Sequence, residues 1–294
     1  MAFRTEASGG RTAPREAGAA SLRGKVPAEA LDLFPDRWER LGDVVVLRIP
    51  APLAPWSALV GEALARVLGC RAALENTRGV VGEFREMAAP VLWHDGSRAD
   101  PAVTVHREHG ILYALDASRI MFSSGNVEER ARMGRLDCRG ETVVDLFAGI
   151  GYFAIPIAKR TGATRVVAVE KNPVAHRFLL ENARLNRVGA VLEPVLGDNR
   201  ETPLPTAQRV LLGYVGRTAE FLPRAFEVAD PAGATLHYHD TFGVDAWREE
   251  AEGRVRTAAE AAGFRVEAAD THAVKSYAPA VVHAVVDARV RHAP

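Results

Sequence analysis

Acidic residues stand at the ends of three short apolar runs, and their spacing points to a nucleotide. Val143-Val144-Asp145-Leu146-Phe147-Ala148-Gly149-Ile150-Gly151 is an apolar run that enters a glycine-containing turn and then an amphipathic stretch. Gly149 and Gly151 allow the backbone to pass close to a ligand, and Asp145 at the end of the run can accept a hydrogen bond from it; Phe147 and Ala148 complete the turn. Glu170 ends the next run, 19 residues beyond Gly151, with Lys171 and Asn172 after it. A carboxylate there suits both ribose hydroxyls of a nucleoside. Asp198 and Asn199 end a third run, beside the expected adenine position. The turn lacks the third glycine of a dinucleotide fingerprint, which disfavours pyrophosphate and leaves S-adenosylmethionine as the better ligand.

A fourth run ends in Leu211-Leu212-Gly213-Tyr214-Val215-Gly216-Arg217-Thr218. Many methyltransferases of ring or amide nitrogens carry an Asn/Asp-Pro-Pro-aromatic turn at this place, which grips the amine. Gly213 and Tyr214 are expected instead to line the methionine end of the donor, Tyr214 as a wall or hydrogen-bond partner. His237-Tyr238-His239-Asp240 ends a fifth run with both imidazoles on one side of a strand. His239 and Asp240 are candidate substrate contacts, with core packing as the favoured competing reading. Two histidines without a third ligand do not make a metal site, so no metal is expected. Tyr277 and Pro279 are candidates for a pocket wall. His106 and Asp116 are candidate general bases that read equally as surface groups, and Arg85 and Arg217 are candidate phosphate or carboxylate contacts.

These residues need a scaffold that delivers strand ends to one edge. From Thr142 onward, apolar runs alternate with amphipathic stretches, the pattern of βα units on a parallel sheet. Strands are expected at Thr142–Leu146, Arg165–Val169, Ala190–Leu196, Arg209–Gly213, Ala234–Tyr238, Phe264–Ala269 and Val281–Val290. Helices are expected at Tyr152–Arg160, Pro173–Asn186, Thr218–Val228 and Val244–Ala262. The order is that of an α/β, doubly wound, seven-stranded class I methyltransferase-like (Rossmann-like) domain over 141–294, with its last strands antiparallel. Before it, strands at Asp43–Leu47, Gly79–Arg85, Val103–Arg107 and Ile111–Leu115 and a helix at Pro55–Leu68 suggest a small α+β domain over 31–118. A linker over 119–140 carries a helix at Val127–Leu136. The first 30 residues, rich in Gly, Ala, Arg and Ser, are expected to be a disordered tail.

The chain has 294 residues, 48% hydrophobic and 25% charged, enough to bury a substantial core. Lys+Arg and Asp+Glu balance at 37 each, so no global basic field recruits nucleic acid. Two cysteines, no apolar run of membrane-spanning length and no signal-peptide stretch fit a cytoplasmic protein with no membrane partner. Only 4 of the 37 cations are lysine, and with the abundance of alanine this suggests a GC-rich, bacterial source.

The strings DLFAGIG, VEKNP, NxxLN, GDNR, GYVxRTxxFL, GxxLHYHDT and KSYAPxVVHxVVDARV, with HREHGILYALDxSxIMFSSGNVEERxRM upstream, resemble the tRNA wybutosine-synthesizing protein 2 family. The resemblance runs from about Phe34 to Val290. It implies an enzyme that takes the 3-amino-3-carboxypropyl group from S-adenosylmethionine, rather than the methyl, and releases methylthioadenosine. The family, a sister of the tRNA guanine-N1 methyltransferases, delivers that group to a tricyclic guanosine derivative in tRNA. The scaffold also resembles isonocardicin synthase and azetidine-2-carboxylate synthases of bacterial natural-product pathways. It further directs attention to Met121, Phe122, Ser123, Asn126 and Arg130 as residues that anchor the methionine moiety, with Ser123, Asn126, Tyr214 and His239 closest to the chemistry. Glu129, Arg130 and Arg132 read equally as helix-surface charges. Balanced charge, Gln208-Arg209 where the archaeal pattern has Asp-Arg, and the inferred bacterial source favour a small-molecule product, by transfer to a small acceptor or by cyclisation. Aminocarboxypropylation of tRNA is the alternative, with methyl transfer as the nearest enzymatic competitor.

Overall fold

The computed structural model describes residues 12–77, 80–82 and 86–293, and it divides into two compact units at Ser124 and Gly125. The boundary falls inside the segment expected as a linker. The first unit contains helices α1 (Thr12–Ser21), α2 (Ala28–Leu31) and α3 (Ser57–Leu68). Its strands are β1 (Trp38–Leu41), β2 (Val44–Leu47), β3 (Ala72–Glu75), β4 (Val80–Val81), β5 (Glu86–Met87), β6 (Val91–His94), β7 (Val103–Glu108) and β8 (Ile111–Asp116). A sheet of order β1-β2-β3-β6 is backed by α3, and β7 pairs with β8 as an antiparallel hairpin.

The expected disorder of the tail does not hold from Thr12 onward. Arg15 of α1 donates to the carbonyls of Asp32 (2.6 Å) and Phe34 (3.1 Å), and Leu22, Val26, Ala30 and Phe34 are buried together with Val60 and Leu64 of α3. Gly18 is what admits the Phe34 ring: a Cβ there would lie 2.6 Å from it. Small residues that read as low-complexity sequence are thus a packing surface. Of the strand expected at Gly79–Arg85, Val80–Val81 is seen and Gly82 turns; Gly79 and residues 83–85, Arg85 among them, lie outside the described residues.

The second unit begins with α4 (Val127–Met133). Then follow β9 (Thr142–Asp145), α5 (Ala154–Arg160), β10 (Arg165–Glu170), α6 (Pro173–Leu185), β11 (Leu192–Leu196), β12 (Arg209–Leu212), α7 (Leu222–Val228), β13 (Ala234–Gly243), α8 (Trp247–Ala261), β14 (Phe264–Ala278) and β15 (Val281–His292). They form a seven-stranded sheet of order β11-β10-β9-β12-β13-β15-β14, parallel except for β15, which is antiparallel to both neighbours. This is the class I methyltransferase-like architecture. Its parallel strands are covered on both faces, so they read as unbroken apolar runs such as Val210-Leu211-Leu212. The order reverses between β9 and β12, and a crevice for ligand forms outside the carboxyl ends of strands at such a point.

β13 and β14 run further than expected, to Gly243 and Ala278. β14 is an edge strand whose register shifts between Val266 and Ala268, Ala273 and Lys275, and Ser276 and Ala278. Each bulge resets the two-residue alternation, so the period that would reveal a long strand is erased.

A chain of ionic contacts fastens α4 to this sheet. Glu141 accepts from Arg209 Nε (2.6 Å) and Nη2 (3.0 Å), and Arg209 Nη1 donates to His237 Nε2 at 2.7 Å. An arginine has no acceptor, so the proton of His237 is on Nδ1, facing Asp287 Oδ1 at 2.5 Å. Asp287 Oδ2 accepts from Arg132 Nη1 at 2.5 Å, and Arg132 in turn holds Glu129 at 2.9 and 2.7 Å. Burial opposes ionisation of Asp287, but the His237 hydrogen bond and the Arg132 charge hold it below the usual carboxylate range. Asp287→Ala, which leaves His237 Nδ1 without its acceptor and Arg132 with Glu129 alone, should cost about 2 kcal/mol in chemical denaturation. An unchanged midpoint would show that the chain of contacts does not fasten the helix.

Candidate active site

The ends of β9, β10, β11 and β12 bring most of the expected residues to one edge of the second unit. β9 stops at Asp145 because the backbone must turn. Gly149 (φ 58°) and Gly151 (φ 95°) take left-handed conformations that strain any other residue. A Cβ on Gly149 would meet the Tyr152 ring at 2.7 Å, and one on Gly151 would meet Ile155 at 2.5 Å. Asp145 Oδ1 accepts from the Phe147 amide (3.1 Å), while its Oδ2 is buried without a hydrogen-bond partner. Burial, with the neighbouring Glu170 charge, pushes the Asp145 carboxyl up to about 7 against the pull of the Phe147 amide.

Glu170 is organised by backbone. Its Oε2 accepts from Gly149 N and its Oε1 from Asn172 N, both at 2.7 Å, so the carboxylate ties the loop after β9 to the start of α6. Burial raises its pKa against these amide bonds. Asn172 caps α6 through the amides of Val174 (2.9 Å) and Ala175 (3.5 Å). Asp198 is held by Arg200 (2.5 Å) and Lys171 (2.9 Å), and the Arg200 hydrogen bond foremost keeps it well below the usual carboxylate range. Asn199 donates to the Leu146 carbonyl (2.8 Å), and its own Oδ1 is buried without a partner.

An orphaned acceptor on Asp145, a second on Asn199, and a Glu170 carboxylate with remaining lone pairs are acceptors of the kind a nucleoside requires. S-adenosylmethionine fits: Glu170 would take the ribose hydroxyls, Asp145 a donor at the methionine side, and Asp198 and Asn199 the adenine side. Ala148 is buried in the loop, and Phe147 leaves it to stack on Tyr214 (centroids 5.2 Å, 26°). Gly213 lies against Phe153, 3.3 Å from where its Cβ would be.

The other candidates have different surroundings. Met121, Phe122 and Ser123 belong to the first unit, where Phe122 packs edge-on to His106 (4.8 Å) and Tyr113 (5.5 Å). Asn126 precedes α4 without capping it, its Oδ1 buried and unpartnered. Glu129 and Arg130 are buried and Arg132 is half-buried, so none of these three α4 residues is a solvated surface charge; His239 of β13 is buried as well.

His239 stacks on Phe153 (5.1 Å, 25°), 3.4 Å from His283 and 3.6 Å from Glu129, and burial lowers its pKa to about 4. Its side chain is buried, as the competing packing reading expected, and its Nε2 has no hydrogen-bond partner. His106 Nδ1 accepts from Gly42 N, and Asp116 closes a turn onto Ser118; both have structural work. Arg217 is exposed and paired with Glu220 (2.8 Å). At the β14–β15 tip, Tyr277 is half-buried and Pro279 exposed. Sequence reasoning passed over Phe221, whose ring meets Phe147 edge-on (4.8 Å), and treated Asp240 only as a possible substrate contact. Among the described residues no cluster of His, Cys, Asp or Glu is arranged to hold a metal.

Fold and site together define a class I S-adenosylmethionine-binding enzyme. Family models match at residues 104–267 (TRM5/TYW2 methyltransferase domain) and 19–98 (TYW2 N-terminal domain). The chain belongs to the TRM5/TYW2 family. It is 39% identical over 270 residues to the tRNA(Phe) (4-demethylwyosine(37)-C(7)) aminocarboxypropyltransferase of Pyrococcus horikoshii, covering 92% of this chain and 94% of that one. Among solved structures, P. horikoshii TYW2 in complex with MeSAdo superposes with a TM-score of 0.83 at 37% identity, covering 94% of this chain and 99% of that one. Methanocaldococcus jannaschii TYW2 in complex with AdoMet gives 0.71 at 33%, covering 87% and 100%.

Two measurements test the site. Asp145 is raised in the folded state, so it stabilises the fold fully below about pH 4, and that contribution is lost as pH rises to about 7. Relative to Asp145→Asn, wild-type unfolding free energy should therefore fall by a few kcal/mol across that window, at most about 4; parallel curves would contradict the burial argument. Glu170→Gln should weaken S-adenosylmethionine binding by roughly 10- to 100-fold in calorimetry, and unchanged affinity would mean the ribose is held elsewhere.

Proposed function

We propose that this protein transfers the 3-amino-3-carboxypropyl group of S-adenosylmethionine to a tricyclic guanosine base of tRNA, with C7 of 4-demethylwyosine in phenylalanine tRNA as the acceptor. The observation that carries the reading is end-to-end likeness, through both units, to a transferase of that specificity. The donor-side strand ends support it. So does the turn after β12, where Gly213-Tyr214-Val215-Gly216 offers no Pro-Pro clamp for a planar amine.

The small-molecule product favoured by composition finds no counterpart among these relatives, and one of its arguments dissolves in the structure. Gln208 accepts from Thr142 N (2.9 Å) and donates to Asp230 (2.7 Å). An aspartate could not donate to Asp230, so glutamine at 208 reflects a local bond and carries no information about the acceptor.

Bound, the donor supplies an electrophilic γ-carbon with methylthioadenosine as the leaving group. As the acceptor carbon attacks, the γ-carbon to sulfur bond breaks, its electron pair stays on sulfur, and the acceptor carbon releases its proton to solvent. The protein's part is orientation, since only the carbon presented in line with its bond to sulfur reacts. Glu170 holds the ribose, Asp145 accepts from a donor at the methionine side, and Tyr214 and Phe147 wall that side.

The purified protein is incubated with S-adenosylmethionine and phenylalanine tRNA carrying the tricyclic base, and products are followed by mass spectrometry. Methylthioadenosine released only with that tRNA, with a matching mass gain on the nucleoside, is the expected result. S-adenosylhomocysteine as the product would sink the reading, and methylthioadenosine with azetidine-2-carboxylate in the absence of tRNA would establish cyclisation instead.

A further inference from the structure

We propose that Asp240, resting on the aminocarboxypropyl reading above, is the positioning residue that sets which carbon of the donor faces the acceptor, through the turn at 213–219. Asp240 is 1% exposed, seventh in β13. Its Oδ1 accepts from the amides of Gly216 and Thr241, both at 2.8 Å. Its Oδ2 accepts from the Ala219 amide (3.3 Å), the Tyr238 hydroxyl (2.8 Å) and Arg254 (3.4 Å). Five donors meet a group with about four lone-pair sites. Nothing is left over for a substrate, so the carboxylate acts only through what it holds.

What it holds is a strained turn. Val215 has φ 59°, a conformation that a β-branched residue rarely adopts, and Gly216 follows at φ 107°. Such a backbone persists where surrounding bonds over-determine it. Two ties do so: Asp240 grips the amides of Gly216 and Ala219, and Thr218 Oγ1 accepts from Val215 N at 2.9 Å.

The turn's output is the placement of Tyr214. Its ring stacks on Phe147 of the donor loop, and Phe221 closes edge-on to both, at 4.8 and 5.9 Å. Phe147 is two residues past Asp145, so Asp240 fixes an aromatic wall against the donor loop where a Pro-Pro turn grips an amine in methylating relatives of the fold. Displacement of about 1 Å in such a wall is enough to cost on the order of 100-fold in rate.

The test uses the full chain, S-adenosylmethionine and the tRNA acceptor, with Asp240→Asn, Thr218→Ala, their double variant and Tyr238→Phe. Asp240→Asn is expected to lower kcat by about tenfold or more with KM for the donor changed less than about threefold. A rising share of S-adenosylhomocysteine among the products and faster amide exchange at Gly216 and Ala219 should accompany it. Thr218→Ala should act in the same direction, and the double variant should lose less than the product of the two single losses, because both ties serve one turn. Tyr238→Phe, which removes a donor but neither tie, should keep the wild-type product ratio.

Asp240→Asn with wild-type kcat and product ratio overturns the proposal, as does a loss that follows thermal stability with multiplicative effects in the double variant. If Asp240→Asn does not fold, Thr218→Ala decides: an unchanged kcat and product ratio overturns the proposal. A wild-type enzyme releasing S-adenosylhomocysteine alone defeats the functional reading before any variant is made. That outcome is distinct from failure of the turn.

Discussion

Asp287 lies on β15 between the His237 imidazole and the Arg132 guanidinium, and the second unit is organised around what it takes to keep that carboxylate charged away from water. Stripping a carboxylate of solvent costs several kcal/mol, recovered only when good hydrogen bonds replace the lost waters. Here replacement comes from three elements: His237 from β13, Arg132 from α4 and, behind His237, Arg209 from β12. Each link fixes the next, down to the tautomer of His237. The result is a helix of seven residues that is not left to its own propensity, since so short a helix is marginal alone. Gly125, just before α4, is set against Lys275 of β14, with its absent Cβ 2.8 Å from that side chain. The start of α4 and the far end of the β14–β15 hairpin are thereby brought together.

A second economy governs the donor edge. Asp145 is taken wholly and Glu170 largely out of water, and among the described residues no arginine or lysine side chain offsets the cost for either. Backbone amides take that place, and they are aligned only because the loop after β9 adopts left-handed backbone at two glycines. A carboxylate supported by amides alone keeps its remaining lone pairs for donors from a ligand. Asp198, gripped by Arg200 and Lys171, is by contrast an ion pair at the rim, and its value to a neutral adenine lies in shape and a residual acceptor. The three acidic strand ends therefore have unequal jobs, though as letters they are equivalent.

That inequality marks the limit of what was legible beforehand. The seven strands, their order of appearance, and the glycine turn could be read because buried parallel strands are continuous apolar runs and because φ > 0 demands glycine. The His237/His239 pair was legible as one-sided from alternation, and the structure turns both toward the α4 contacts. Their neutrality was not legible, because it depends on Arg209, 28 residues away, and on burial by Phe153. The Thr12–Ser21 helix was missed since its composition is that of a linker, and only the Phe34 ring, far along the chain, makes Gly18 a contact. Asp240 was visible as a strand-end acid but indistinguishable from Asp145. What separates them is the number of donors each meets, five against one, and donors supplied by a turn 21 to 24 residues upstream leave no mark on local sequence.

Net charge is a weak guide to the acceptor for a related reason. A balanced total suggests a surface indifferent to phosphate, yet the total counts cations that solvent never meets as free charges. Arg132, Arg209 and Arg254 are spent on Asp287, Glu129, Glu141, Asp240 and Glu250 inside the second unit, and Arg71 is spent on Asp43 and backbone carbonyls in the first. The charged side-chain partners of these arginines are acidic residues, so each pair sets aside one charge of either sign. What remains outside is a distribution, not a sum, and affinity for a phosphate backbone depends on how many cations lie along its track. Composition can therefore exclude a strong global field while leaving a tRNA acceptor fully compatible with a formal charge of zero.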